Sequence, residues 1–193
     1  MHRLMNGLAR LMALLGGLVL TALIVLTCVS VIGRTINSLL HSGWVVAILG
    51  DTARTLLDTG VGPILGDFEL VQAGMAFAIF AFIPYCQITS GHATVDLFTS
   101  GLSVQTNRFI QLVVDVVFAA ILILIAWRLY EGMLDKMRYR ETTFLLQFPI
   151  WQSYAASLAG AAVSGLVGVY VAAIRVAEFF GDRTILSVGG AEH

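Results

Sequence analysis

Charge is scarce in this chain. Only 12% of its 193 residues are Asp, Glu, Lys or Arg, against about 25% in an ordinary soluble domain. The net charge of -1 supplies no basic excess for phosphate neutralisation, so nucleic acid is excluded as a partner. Cysteine is nearly absent as well. Cys28 and Cys86 form no Cys-x-x-Cys pair, which removes dithiol exchange and zinc binding and leaves them as small apolar residues in packed segments. The four histidines are His2, His41, His92 and His193. None falls in the middle of an apolar run, as bis-histidine haem ligation would need. A Gly-rich phosphate loop, a His-Glu-x-x-His zinc motif and a nucleophile elbow are all missing. Enzyme activity is therefore not expected, and no cofactor is expected in this chain.

What the chain has instead is apolar length. Hydrophobic residues make up 58% and the mean hydropathy is +0.88. Four stretches dominate, at approximately 11–33, 70–91, 109–130 and 151–174. A bilayer core about 30 Å thick needs roughly 20 apolar helical residues, and each stretch meets that length. The first, with 23 uncharged residues between Arg10 and Arg34, exceeds the roughly 7–15 residue core of a cleaved signal peptide and reads as a retained span. Backbone groups in lipid must pair within the segment, and continuous runs exclude the alternation of a membrane barrel. The fold class expected is all-α integral membrane protein, one domain over 1–193. No segment between the spans is long enough to bury a soluble core.

Between the first two spans, Ile36, Leu39, Leu40, Trp44, Ala47 and Ile48 recur at steps of three and four, one apolar stripe of a helix. Val45, Val46 and Leu49 interrupt its polar face, so a partly amphipathic interfacial helix is expected over approximately 36–57. Gly60, Gly62, Pro63 and Gly66 then mark a turn, and Asp67 and Glu69 suit the start of a helix. Trp127 and Tyr130 close the third span while Trp151 and Tyr154 open the fourth, which predicts all four at one membrane face. In the fourth span Ala156, Gly160, Ser164 and Gly168 recur every four residues, a helix-packing face of small residues. Its neighbour, in this chain or in another, is left open.

Ionisable residues inside a span are functional candidates by default. Asp115 and Arg128 qualify, but they lie about 20 Å apart along one helix and cannot pair with each other there. Each is close enough to an end to reach the interface by snorkelling. The other spans offer only Thr, Ser, Gln and Cys as polar groups, too little for an ion path. The positive-inside rule does not fix orientation: with both termini inside, five basic residues face six.

The residues at the helix ends carry a resemblance. Val31-Ile32-Gly33-Arg34 ends the first span. Gly66-Asp67-Phe68-Glu69-Leu70-Val71-Gln72 enters the second, and Gly91-His92-Ala93-Thr94-Val95-Asp96-Leu97-Phe98 leaves it. Arg140-Glu141-Thr142-Thr143 and Phe148-Pro149-Ile150-Trp151 precede the fourth. This order resembles the small membrane subunit (DctQ type) of tripartite ATP-independent periplasmic (TRAP) transporters, over roughly Leu11 to Ile174. The resemblance implies a bacterial inner-membrane, multi-pass protein with both termini cytoplasmic. It implies a scaffold subunit of a sodium-coupled, binding-protein-dependent secondary transporter that imports an organic acid or similar small solute. Its partners would be a large elevator-type multi-span subunit, which binds the sodium, a periplasmic substrate-binding protein, and membrane lipid. The candidate partner interface is then Arg34, Asp67, Glu69, Gly91, His92, Asp96, Arg140, Glu141, Thr142, Pro149 and Trp151. Plainer roles stand beside these: Glu69 as a helix-end charge, His92 and Asp96 as a local i, i+4 pair, Arg34 as a snorkelling residue, Trp151 as a belt residue. The alternative function is a self-sufficient oligomeric four-helix channel or carrier.

Overall fold

The computed structural model describes residues 2–45, 52, 55, 57, 60–89 and 104–181. Four helices carry the fold: α1 (His2–Leu40), α2 (Asp67–Ile88), α3 (Val104–Tyr139) and α4 (Ile150–Gly181). All four are long and apolar enough to cross a membrane. Three run well past their apolar stretches. α1 begins at His2 rather than near residue 11, α3 covers 36 residues, and α4 continues beyond Ile174. Helix propagation needs only backbone bonds and tolerant side chains, so polar turns extend each helix beyond the lipid-compatible part.

The expected interfacial helix does not begin as a separate element at residue 36. α1 runs unbroken through Leu40, a turn follows at His41–Ser42, and helix resumes at 43–45. Leu40 and Val45 pack with Leu57. Residues 46–51, 53, 54, 56, 58 and 59 lie outside the described residues, as do 90–103.

The helices stand in a row in the order α1, α2, α4, α3. α1 and α2 are antiparallel and close: Gly16 lies against Ala81, Leu23 against Gly74, and Ala9 packs with Ile88. α3 and α4 form the hairpin expected from their short connection, with Tyr154 over Gly132, Ile123 beside Gly165 and Ala119 against Gly168. α2 and α4 run parallel. Phe80 meets Gly160, and Ile88 packs with Val167 and Val171. The small-residue face of α4 thus has its neighbours within this chain, because Gly160 and Ser164 face α2 while Gly168 meets both Gln87 and Ala119.

The α2–α4 seam turns on a proline. Pro84 sits buried inside α2. It has no N–H to give the carbonyl four residues back, which belongs to Phe80. An orphan carbonyl at membrane depth is costly, and neighbouring hydroxyls are one remedy. Ser164 Oγ lies 2.8 Å from Phe80 O, and also 2.8 Å from its own Gly160 O. Gly160 permits the approach, since a Cβ there would stand 2.9 Å from Phe80 Cβ.

The antiparallel register corrects one expectation. Trp127 is level with about Gly160, some nine residues or ~13 Å below Trp151 along α4. The four aromatic markers do not share one level, because α3 continues to Tyr139 before the chain turns.

A thermodynamic cycle tests the seam. Ser164→Ala is expected to lower stability by about 1–3 kcal/mol, the cost of an unsatisfied buried acceptor. Pro84→Ala restores an N–H for Phe80 O, so Ser164→Ala in that background should cost clearly less. Melting of the purified protein in detergent, across the wild type, two single variants and the double, measures the coupling. Equal losses in both backgrounds would rule the coupling out.

Candidate functional site

The end of α1, the starts of α2 and α4 and the end of α3 all lie at one end of the row. Here the sparse charge of the chain is concentrated. The segment before α2 lies along α1: Gly33 faces the Gly62 carbonyl with no room for a side chain, and Asn37 Nδ2 donates to Val61 O at 2.9 Å. Ser30, fully buried, donates to Asp67 Oδ2 and accepts the Ile64 N–H at 3.3 Å. Arg34 stands 3.5 Å from the same Asp67 oxygen, and Phe68 N–H reaches Oδ1 at 2.7 Å. Asp67 therefore joins α1 to the first turn of α2.

Glu69 makes the second tie. Its two oxygens accept the backbone N–H groups of Leu145 and Leu146 at 2.7 and 3.0 Å, from 76 and 77 residues away. These N–H groups belong to the α3–α4 connection, which has its own internal order. Lys136 pairs with Glu141 at 2.6 Å. Thr142 and Pro149 form a single antiparallel bridge. Thr143 N–H donates to Phe148 O, and Phe148 N–H returns to Thr143 Oγ1. Arg140 and Gln147 take left-handed backbone angles, φ 49° and 50°, which tighten the turn at both ends. Gly66, also left-handed at φ 75°, sits against Leu146, and a Cβ there would strike it. The tip carries Phe144, 92% exposed, and Leu65 and Phe68 at the start of α2 are exposed as well.

The structure thus gathers Arg34, Asp67, Glu69, Arg140, Glu141, Thr142, Pro149 and Trp151 at one end of the row. Asp67, Glu69 and Glu141 hold the chain's own elements together there. Arg34 and Arg140 stay exposed. Gly91, His92 and Asp96 lie outside the described residues. Beneath the cap a cleft of about 470 Å³ opens between α2 and α3 with α4 as its floor, lined by Glu69, Gln72, Lys136, Ser153, Tyr154 and Ser157.

The opposite end holds a charged group that sequence reasoning did not assemble. Arg175 Nε lies 3.2 Å from Asp115 Oδ2, and its Nη1 lies 3.2 Å from Glu178 Oε2. The Arg175 and Asp115 side chains are 11% and 23% exposed. Asp115 does not snorkel to the interface; it binds α3 to α4. One turn further in, Gln87 is 6% exposed and its Oε1 has no hydrogen-bond partner among the described residues.

Comparison with known proteins bears on this arrangement. The family model described as "Tripartite ATP-independent periplasmic transporters, DctQ component" matches residues 23–178, a stretch containing the second half of α1, α2, α3, the connecting hairpin and most of α4. The chain belongs to the DctQ family. It is the small membrane component of a TRAP transporter, a transporter part and not an enzyme. Neither the curated proteins nor the solved structures contain a match. The DctQ assignment and the four apolar helices indicate a multi-pass inner-membrane protein. The family implies a large DctM subunit and a substrate-binding protein as partners.

Two predictions follow from the two ends of the row. Glu69→Ala should free the hairpin, so amide exchange at Leu145 and Leu146 rises several-fold while exchange in mid-α4 is unchanged; unchanged exchange at both amides would show that the carboxylate does not hold them. At the other end, Arg175→Ala leaves Asp115 and Glu178 without their shared cation and should cost about 3–5 kcal/mol. Asp115→Asn, which leaves Arg175 with Glu178, should cost less. Thermal melts of the two variants give the order.

Proposed function

We propose that this DctQ-type chain is the fixed scaffold of a sodium-coupled, binding-protein-dependent importer of an organic acid or similar small solute. The observation that carries the reading is the row. Four helices in the order α1, α2, α4, α3 enclose little interior, and the two outer helices expose long apolar faces. Such a body is suited to lie against a larger membrane protein. Its internal ties suit it to stay rigid: the Ser164 bond to Phe80, the Arg175–Asp115 pair, and the carboxylate ties of Asp67 and Glu69. An elevator-type large subunit needs a partner that holds still while it moves. Sodium and substrate belong in that subunit, and the substrate comes from the soluble binding protein. On this reading the polar cap faces the periplasm, where the binding protein docks, and both termini are cytoplasmic.

Reconstitution separates this reading from the channel or carrier alternative. Liposomes holding this chain alone, under an inward sodium gradient, should take up none of a panel of organic acids. Adding the large subunit and the binding protein should give saturable, sodium-dependent uptake. Uptake by the chain alone would overturn the scaffold reading. Cysteines placed at Leu4 and Arg138, in a background without Cys28 and Cys86, report the topology: an impermeant thiol reagent should label position 138 and spare position 4 in intact cells.

A further inference from the structure

The face of α3 that points away from α4 carries charge at an unexpected depth. Glu131 Oε1 accepts the Trp127 indole N–H at 2.6 Å, and Oε2 accepts Arg128 Nη1 at 2.9 Å. The Arg128 side chain is 75% exposed and Trp127 is 64% exposed. The hairpin register fixes their level. Tyr154 lies over Gly132 and Gly165 beside Ile123, so Arg128 is level with about Ala159. The charge-free part of α4 runs from Ile150 to Ile174, with Ala162 at its middle. Arg128 is thus about three residues, or ~5 Å, from that middle. Further out on α3, exposed Leu134 and Met137 alternate with Asp135, Lys136 and Arg138. Helical side chains lean toward the N-terminus of their helix, which on α3 is away from the nearer end of the row. Snorkelling outward works against that lean.

Ionisable groups at membrane depth almost always face protein or a water-filled cavity. Arg128 faces away from every other described helix. Its hydrogen-bonding state says what must cover it. Both Glu131 oxygens already accept a bond from the same helix. A guanidinium has five N–H donors, and among the described residues Arg128 gives one, to Glu131. Four guanidinium donors are left without an acceptor among the described residues. Around it, Val113, Val117 and Leu124 are exposed at helical spacing on the same stripe, an apolar seam with one cationic point.

We propose that this face of α3 is a seat for the large membrane subunit, and that a helix of that subunit presents a hydrogen-bond acceptor, a carboxylate or carbonyl oxygen, to Arg128 within the membrane. The proposal rests on the scaffold reading and adds the surface and its chemistry to it. It places the contact on the outermost helix of the row, away from the polar cap, so docking of the soluble protein and of the large subunit would use separate surfaces.

The test uses this chain co-expressed with the large subunit. A benzophenone amino acid at Leu124 should give, on irradiation, an adduct with the combined mass of the two subunits. The same probe at Leu18, exposed on α1, should give lipid adducts. Arg128→Glu should lower the large subunit recovered with this chain by about tenfold while this chain still purifies folded, and Arg128→Lys should retain more of it than Arg128→Gln. Adducts at Leu124 with lipid alone mean that the row is inclined and Arg128 reaches the headgroups; adducts with a second copy mean self-association. Either result, or full recovery with Arg128→Glu, overturns the proposal while leaving the scaffold reading intact. Failure of the wild-type chain to bind the large subunit would remove the scaffold reading and the seat together.

Discussion

A carbonyl group with no N–H to receive sets the arrangement of this protein. In water the Phe80 oxygen released by Pro84 could bond solvent. In a bilayer it needs a donor from the protein, and Ser164 on α4 supplies one. α2 and α4 run parallel because the chain crosses back once, through α3, between them, and this bond ties them side by side. α3 packs on the far side of α4, and α1 on the far side of α2. The row follows from one parallel pair at its centre with an antiparallel neighbour on each flank. The small residues at Gly160, Ser164 and Gly168 give the close approach that a hydroxyl-to-carbonyl bond requires, so packing and polar satisfaction are met by the same stripe.

Much of this was legible in the sequence, and the limits have physical reasons. The number of long apolar helices and the helical class came directly from apolar runs and the bilayer's thickness. The DctQ resemblance came from polar residues at helix ends, and the family match covers most of the same stretch. What sequence reasoning could not reach were pairings at long separation. Glu69 suits a helix N-terminus by local rules, yet its oxygens bind amides 76 and 77 residues away. Nothing local distinguishes those two roles. The α2–α4 contact was hidden for a related reason, because a stripe of small residues declares that a helix comes close without saying which one.

The Asp115–Arg175 pair was within reach. A hairpin that turns near residues 143–144 places residue 115 opposite about residue 172, within one turn of Arg175, so an intramembrane carboxylate on α3 has an obvious place to look for a cation. Arg175 was overlooked because it stands one residue past the apolar stretch and reads as an interfacial charge. Antiparallel hairpins with short connections allow such arithmetic, and it is a stronger guide to pairing than distance along one helix. The same arithmetic also corrects the aromatic markers. Trp127 and Trp151 look symmetric about the connection, but the turn centre puts Trp127 about nine residues deeper.

The distribution of charge then separates two kinds of polar residue in this chain. Asp67, Glu69 and Asp115 have their acceptor capacity directed inward, toward Ser30, the hairpin amides and Arg175. They stabilise the row itself, and replacing them should weaken whatever the row supports only through the row. Arg128 is different, since most of its donors point away from every other described helix. The scaffold role proposed for this chain would use both kinds: internal ties that keep its shape under load, and a few outward groups that fix its register against a moving partner. In a segment this poor in charge, an exposed guanidinium with its Glu131 partner, beside an apolar stripe, carries more positional information than the surrounding apolar side chains. Apolar contacts slide against each other at small cost, whereas a buried donor with one acceptor fixes both depth and rotation.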